Sequence, residues 1–339
     1  MSSAQTNTPS HPDTLERMRA RRILVTGVSG FVGGALGVHL RGLGNYIVGV
    51  SRSTARDGAV NEYVRLDLRA PIAQFPTVDA IVHCAALASP WASPRAYKAA
   101  NVDATAHLLD WAARNNVARF VFISSSSVHY QAGQDQENIR EDSPLPALAI
   151  NEYAATKRKA EELVRQSKLN WIILRPRAVF GPGDTVLFPR ILRAAEQGKL
   201  PRIVRSDGVS PRADLIYIDN LSHYIERALS SGLSGAFNLT NNEPVELYPF
   251  LDAMLAKLNI PAPRKAVSVG TAMLFARAAE LTSQFLLNYK EPPVTRFGVE
   301  VMAYSKTFDM SKTLKAFGPP PVSLAEGVER FIAWRRRGV

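Results

Sequence analysis

The chain has 339 residues, 46% of them hydrophobic and 21% charged, enough apolar material for a full core and a smaller second lobe. Its net charge of +11 invites a nucleic-acid partner, but the basic residues gather at Arg17, Arg19, Arg21, Arg22 and Arg335 to Arg337 without an aromatic-interleaved groove, so that class is set aside. One cysteine excludes an internal disulfide and fits a reducing cytoplasm, and six scattered histidines show no metal-ligand spacing.

In chain order, residues 1–20 are rich in Ser, Thr, Pro and Gln without an apolar h-region, and read as a disordered arm, not a signal peptide. Residues 22–26 predict a strand, Gly27-Val28-Ser29-Gly30-Phe31-Val32-Gly33 a turn, and the stretch through Leu36 and Leu40 to about Leu43 a helix. Backbone N–H groups at such a helix N-terminus receive a pyrophosphate. Gly27 serves the tight turn, Gly30 the approach of phosphate and Gly33 close helix–strand packing, with Ser29, Phe31 and Val32 completing the cradle. Residues 46–50 predict the second strand, with Ser51-Arg52-Ser53 at its carboxyl end. An NAD site carries an acid there for the ribose 2′-hydroxyl; Arg52 suits a 2′-phosphate, so NADP(H) is expected over NAD(H), the alternative cofactor.

A strand at 63–66 brings Asp67 and Leu68 toward an adenine, although Asp67 also suits a helix N-cap. A buried-type strand over 79–86 ends in small residues, Ala85 among them, that let a cofactor lie against the backbone. Within it Cys84 reads as an inert thiol and His83 as structural. A helical region over about 94–115 and a strand at 119–123 follow, ending in Ser124 to Ser127. This alternation predicts an α/β fold, a doubly wound parallel sheet with ligands outside the carboxyl ends of its strands. At least one of the four serines then reads as a donor to a substrate oxygen. Tyr153 and Lys157, in Tyr-Ala-Ala-Thr-Lys, share one face of a predicted helix. A free phenol is only about 0.1% ionised at neutral pH, and a neighbouring ammonium is expected to make it a usable proton donor and acceptor.

Strands at 171–174 and 235–239 are expected to complete the sheet. In 267–287, Met273, Leu274, Phe275, Ala278, Leu281, Phe285 and Leu286 recur at near-helical spacing, while Arg277 and Glu280 make the run too polar for a membrane span. It reads either as an ordinary amphipathic helix or as a hydrophobic lid or interfacial helix.

Together these motifs resemble the extended short-chain dehydrogenase/reductase family, the NAD(P)-dependent epimerase/dehydratase superfamily. Residues 26–33 match its TGxxGxxG, 153–157 its YxxxK, 122–128 its strand-five signature, and Leu-Arg-Pro-Arg-Ala-Val-Phe-Gly-Pro-Gly-Asp at 174–184 its LRPxxVYGPGD; the likeness runs over about 21–335. The resemblance implies a Rossmann-type NADP-binding domain at 21–176, completed by about 213–240. It also implies a smaller, mostly helical substrate lobe from 177–212 and 241–335. It implies that Ser125, three residues before Val128, holds the substrate oxygen, with Ser126 as the alternative. Tyr153 is then the acid/base, and Lys157 lowers its pKa and binds the nicotinamide ribose. Asn101 falls on the family's NVxGT and is read as structural. Segments 184–193, 212–220, 235–240 and 291–296 are similar to the 3β-hydroxysteroid dehydrogenase-like branch, which includes 2-alkyl-3-oxoalkanoate reductases. That branch exchanges a hydride with a ketone or secondary alcohol of a greasy substrate.

Two departures stand out. Val128-His129-Tyr130 replaces the family's VYG and is expected to alter the pocket wall, and Ser126-Ser127 replaces the Asp-Glu pair of sugar-nucleotide dehydratases. The alternatives are a sugar-nucleotide epimerase, with Arg212 on a diphosphate, and a non-catalytic NADP-binding protein. The resemblance further implies a homodimer through helices at about 94–115 and 151–168. The charge suits steering of a polyanionic cofactor or a weak contact with a membrane surface. The expectation is thus a cytoplasmic enzyme, peripheral to membrane at most, with a hydrophobic small-molecule substrate, no nucleic acid and no metal.

Overall fold

The computed structural model describes residues 20–337; the arm expected over 1–20 lies outside them but for Ala20. The strands are, in chain order, β1 (Arg22–Thr26), β2 (Tyr46–Ser51), β3 (Glu62–Arg65), β4 (Ala80–His83), β5 (Arg119–Ile123), β6 (Gln136–Ile139), β7 (Trp171–Pro176) and β8 (Val179–Phe180). They continue with β9 (Arg202–Val204), β10 (Arg212–Ala213), β11 (Ile216–Tyr217), β12 (Gly235–Leu239), β13 (Val245–Glu246), β14 (Ala266–Ser268) and β15 (Lys306–Phe308).

Seven of them form a parallel sheet in the order β12-β7-β5-β4-β1-β2-β3. Thr26 at the end of β1 lies between Val50 of β2 and His83 of β4, so the strand order reverses there. Such a switch point opens a crevice at the carboxyl edge. The strands are nearly continuous apolar runs because both sheet faces are covered. On one face, helices Phe31–Gly42 and Ile218–Ser230 bury Leu36, Leu40, Leu221 and Ile225 against Ile23, Val25 and Ile47. On the other, helices Ala104–Arg114 and Glu152–Gln166 bury Leu108, Trp111, Ala160 and Val164 against Leu24, Val48 and Phe120.

Helix Glu152–Gln166 begins where Asn151 Oδ1 accepts the N–H of Ala154 at 2.8 Å, a side-chain cap that fixes the phase of the residues after it. The predicted helix at 94–115 is three pieces, Pro94–Tyr97, a π-helical turn at Lys98–Asp103 and Ala104–Arg114. The fourth strand stops at His83, earlier than the expected residue 86, and the chain then runs along the crevice.

The C-terminal part is mostly helical but carries a small sheet, β13-β10-β15-β6. Its outer strand, β6, comes from the long connection before helix Glu152–Gln166, for which the sequence suggested nothing. Ser305 N–H donates to Asp135 at 2.7 Å, and the buried Lys306 ammonium donates to the carbonyls of Gln131 and Gln134 at 3.0 and 2.6 Å. These contacts stitch the connection to residues about 170 positions away.

A crevice at the carboxyl edge of the sheet

The turn after β1 is shaped by what it lacks. Gly27 has φ +72°, and a Cβ there would lie 2.9 Å from Ala85 Cα; a Cβ at Gly33 would lie 2.4 Å from the Gly27 carbonyl oxygen. Helix Phe31–Gly42 therefore starts hard against β1, with no side-chain cap and no acid in its first turn. Its first N–H groups are left to a ligand, and an anion there would be favoured by the helix dipole. Above them opens a cavity of about 780 Å³. Its lining includes Gly27, Ser29, Gly30, Phe31, Val32, Gly33, Arg52, Asp67, Leu68, Ala85, Ser125, Tyr153 and Lys157. The structure thus brings these predicted residues to one cavity. The residues fit a dinucleotide: a backbone cradle without Cβ atoms, an uncapped helix end, and cations at the far end of the wall.

At that far end, the Tyr63 hydroxyl donates to the Ser53 carbonyl at 2.6 Å, and Ser51 Oγ donates to the same oxygen at 2.7 Å. This braces the bend that presents Arg52, whose exposed guanidinium has no hydrogen-bond partner among the described residues. Asp67 is not a helix cap. Arg69 forks onto its carboxylate, Nε to Oδ2 at 2.9 Å and NH2 to Oδ2 at 2.5 Å, and holds it below the usual carboxylate range. Sequence reasoning missed Arg69, which neutralises the one acid beside Arg52 on this stretch of wall.

Behind the cradle runs a buried polar chain. Ala85 N–H donates to Thr26 Oγ1 at 3.0 Å; because Thr105 Oγ1 is a donor to Asn101, neutral His83 carries its proton on Nε2 and accepts from Thr26 Oγ1 at Nδ1, 2.8 Å away. His83 Nε2 then donates to Thr105 Oγ1 at 3.1 Å, which donates to the Asn101 carbonyl at 2.7 Å. Burial, with Lys157 adding to it, pushes His83 down to about 3, so the imidazole stays neutral and structural. Asn101, on the π-turn, accepts from Leu87 N–H at 2.7 Å and donates to Thr156 Oγ1 at 3.1 Å. It ties the cavity wall to the helix of Tyr153 and Lys157. Cys84 lies at the wall, and burial pushes its thiol up to about 12, so it is inert.

The four serines after β5 separate clearly. Ser124 Oγ is spent on Glu161 Oε1 at 2.6 Å, and Ser126, 2% exposed, is spent on Tyr130 at 3.1 Å inside the protein. Ser127 is buried. Ser125 lines the cavity and shares a 2.9 Å hydrogen bond with Ser127 Oγ, so it alone offers a hydroxyl both to Tyr153 and to a ligand.

The electrostatics of Tyr153 differ from the sequence expectation. Its phenol is pushed up to about 12 by burial, against a lowering by the hydrogen bond with Ser125. Lys157 does not acidify it here. The ammonium donates to the Ile123 carbonyl at 2.6 Å, sits 4.3 Å above the Phe122 ring, and is brought down to about 8 by burial. Burial is the largest cause of both shifts, which helix spacing alone cannot reveal.

A third residue on the same helical face, Glu161, was missed, although its position four after Lys157 was a signal. Arg175 grips it bidentately, Nε to Oε1 at 2.8 Å and NH2 to Oε2 at 2.6 Å, and both side chains are buried. Arg175 NH1 also donates to His129 Nε2 at 2.7 Å. His129 is therefore 1% exposed and turned onto Arg175. This corrects the expectation that Val128-His129-Tyr130 alters the pocket wall, because none of the three lines the cavity.

The opposite wall is largely apolar, with Ala88, Ala178, Val179, Val186, Leu187 and Phe297, and one cation, Arg190, held by Glu291 at 2.9 Å. Arg212 is not on it; it is exposed and paired with Glu137 at 3.1 Å. No cluster of three or more His, Cys, Asp or Glu with metal-binding geometry occurs among the described residues.

The profile of the NAD dependent epimerase/dehydratase family matches residues 23–239. A 2-alkyl-3-oxoalkanoate reductase of Stenotrophomonas maltophilia (strain K279a) is 34% identical over 92% of this chain and 98% of its own length. A 3β-hydroxysteroid-dehydrogenase/decarboxylase of Arabidopsis thaliana (isoform 1) is 31% identical over 84% of this chain and 69% of its own. Among solved structures, MoeE5 in complex with UDP-glucuronic acid and NAD superposes with a TM-score of 0.72 over 94% of this chain and 100% of that one. At 23% identity that likeness speaks for the fold alone.

Proposed function

The chain belongs to the NAD dependent epimerase/dehydratase family, a family of enzymes within the extended short-chain dehydrogenases/reductases, and we propose that it is an NADP(H)-dependent oxidoreductase acting on a ketone or secondary alcohol of a hydrophobic, 3-oxoacyl- or sterol-like substrate. One observation carries this reading: Ser125, Tyr153 and Lys157 face an apolar wall across a single cavity whose other end is a phosphate cradle. When bound, the nicotinamide supplies or accepts the hydride at the substrate carbon. Ser125 holds the substrate oxygen, and Tyr153 gives that oxygen a proton in reduction and removes it in oxidation. Lys157 holds the nicotinamide ribose. Burial keeps the Tyr153 phenol protonated at neutral pH, so it enters the reductive step as the proton donor. Residues 177–212 and 241–335 form the substrate-binding lobe in this proposal.

The sugar-nucleotide epimerase reading puts Arg212 on a diphosphate, but Arg212 lies outside the cavity, paired with Glu137. Two further parts complete the proposal. A cytoplasmic location is consistent with the lone, inert Cys84. A homodimer through the helices near 94–115 and 151–168 would cover Leu148, which is 87% exposed just before the second of them.

The proposal is tested with NADPH, NADH and a panel of long-chain 3-oxo acids, sterol ketones and nucleotide sugars. Consumption of NADPH with the apolar ketones is expected, with NADPH preferred over NADH. Charge-assisted hydrogen bonds contribute about 1.5–3 kcal/mol, so Arg52→Glu should raise KM for NADPH by about 10- to 100-fold and leave KM for NADH nearly unchanged. A wild-type enzyme that prefers NADH, or turns over only nucleotide sugars, overturns it.

A further inference from the structure

Helix Val269–Leu286 has two faces of different chemistry. Ala272, Ala276, Glu280 and Ser283 recur every three or four residues and are buried, the alanines against Ile203, Val299 and Ala303. Glu280 accepts the backbone N–H and Nε of Arg296 at 2.7 and 2.6 Å. Away from that face, Leu274, Phe275, Phe285 and Leu286 are 70, 66, 74 and 77% exposed, joined by Leu281 and Leu287. Single exposed leucines are ordinary, but six large apolar side chains along one surface helix are not.

The exposed charged residues within 260–290 are all basic. Arg264, Lys265, Arg277 and Lys290 are exposed, and none forms an ion pair among the described residues. Between Asp252 and Glu291 the one acidic residue is Glu280, turned inward onto Arg296.

We propose that this face docks on an anionic lipid bilayer, the helix lying in the headgroup plane with Leu274, Phe275, Phe285 and Leu286 at the acyl boundary and the four cations among lipid phosphates. Such a bilayer matches both halves of the surface, apolar and basic. A second copy of the chain matches less well, because a two-fold contact would set these cations against their like. No described helix is long and apolar enough to cross a membrane, so the contact is interfacial.

The docked helix is also tied to the cavity. Trp91 Nε1 donates to Ser283 Oγ at 2.7 Å, and Glu291 accepts from Ser89 Oγ at 3.2 Å and Arg190 NH2 at 2.9 Å. Ser89 and Arg190 belong to the cavity wall, so docking brings its rim to the lipid, a short route for an apolar substrate. The docking itself does not depend on the redox reading and is measured without turnover.

The test sediments the full chain with vesicles of phosphatidylcholine alone, or with about a third phosphatidylserine. Binding to the anionic vesicles, weak binding to neutral ones and release by high salt are expected. The triple variant Leu274→Ser/Phe285→Ser/Leu286→Ser should bind about tenfold less or weaker, with an unchanged thermal transition because the side chains are exposed. The pair Arg277→Glu/Lys290→Glu, which leaves the apolar stripe intact, should lose the preference for anionic lipid. Absence of wild-type binding, equal binding by wild type and triple variant, or a triple variant whose only change is in oligomeric mass would overturn the proposal; the last would make the face a protein contact.

Discussion

Tyr153→Phe is expected to lower turnover about 10³-fold, the scale of a positioned general acid, while NADPH binds within about twofold of wild type. The substitution removes one oxygen from a phenol that sits over the cavity and leaves the ring, its packing near Tyr97 and the phosphate cradle in place. The pH dependence follows from the groups beside it. With Tyr153 pushed up to about 12, the donor stays protonated, so ketone reduction holds level through neutral pH and alcohol oxidation climbs as pH rises. Lys157, brought down to about 8, loses its charge first, so the reductive rate should bend downward above that value. Near-normal turnover in the variant, measured with saturating NADPH, would remove Tyr153 from the chemistry.

Arg175→Met is expected to cost about 3–5 kcal/mol, because it strands the Glu161 carboxylate inside the protein. For a chain this long that corresponds to a fall of roughly 4–7 °C in the thermal midpoint, read by calorimetry. Burial pushes the Glu161 carboxyl up, but the two Arg175 hydrogen bonds and its charge outweigh this and hold it below the usual range. A depressed carboxylate contributes stability above its unfolded pKa, and that contribution is lost as pH falls through the folded value. The variant lacks this contribution, so its acid midpoint should move to higher pH. Replacing Arg114, whose ion pair with Asp110 is exposed, should leave the midpoint in place. An Arg175 variant as stable as wild type would show that the buried brace contributes little. Because Glu161 also holds Ser124 next to Ser125, loss of activity at temperatures where the variant is still folded would mark a positioning role.

The parts of this enzyme legible in its sequence are those whose chemistry demands local spacing. Gly27, Gly30 and Gly33 announce the cradle because each answers a steric need within one turn, and the structure shows Gly27 and Gly33 meeting backbone at under 3 Å if given a Cβ. Tyr153 and Lys157 are legible for the same reason, as one face of one helix. The parallel sheet follows from the alternation of apolar runs. What escapes is set by distant partners. The short β6 is polar and is held by β15, some 170 residues on. Ser125 stands apart from its neighbours only because Glu161 and Tyr130 occupy Ser124 and Ser126. His129, read as a change in the pocket, faces Arg175 instead. The direction of the Tyr153 shift could not be read either, since spacing reveals the nearby ammonium but not the burial that overrides it.

The most direct test of hydride transfer uses NADPH with both hydrogens at nicotinamide C4 replaced by deuterium, a long-chain 3-oxo acid or sterol ketone, and mass spectrometry of the product. An alcohol one mass unit heavier at the former carbonyl carbon is expected, formed by wild type and nearly absent with Tyr153→Phe. An unlabelled alcohol, or label that never leaves the cofactor while a nucleotide sugar is interconverted, would contradict it.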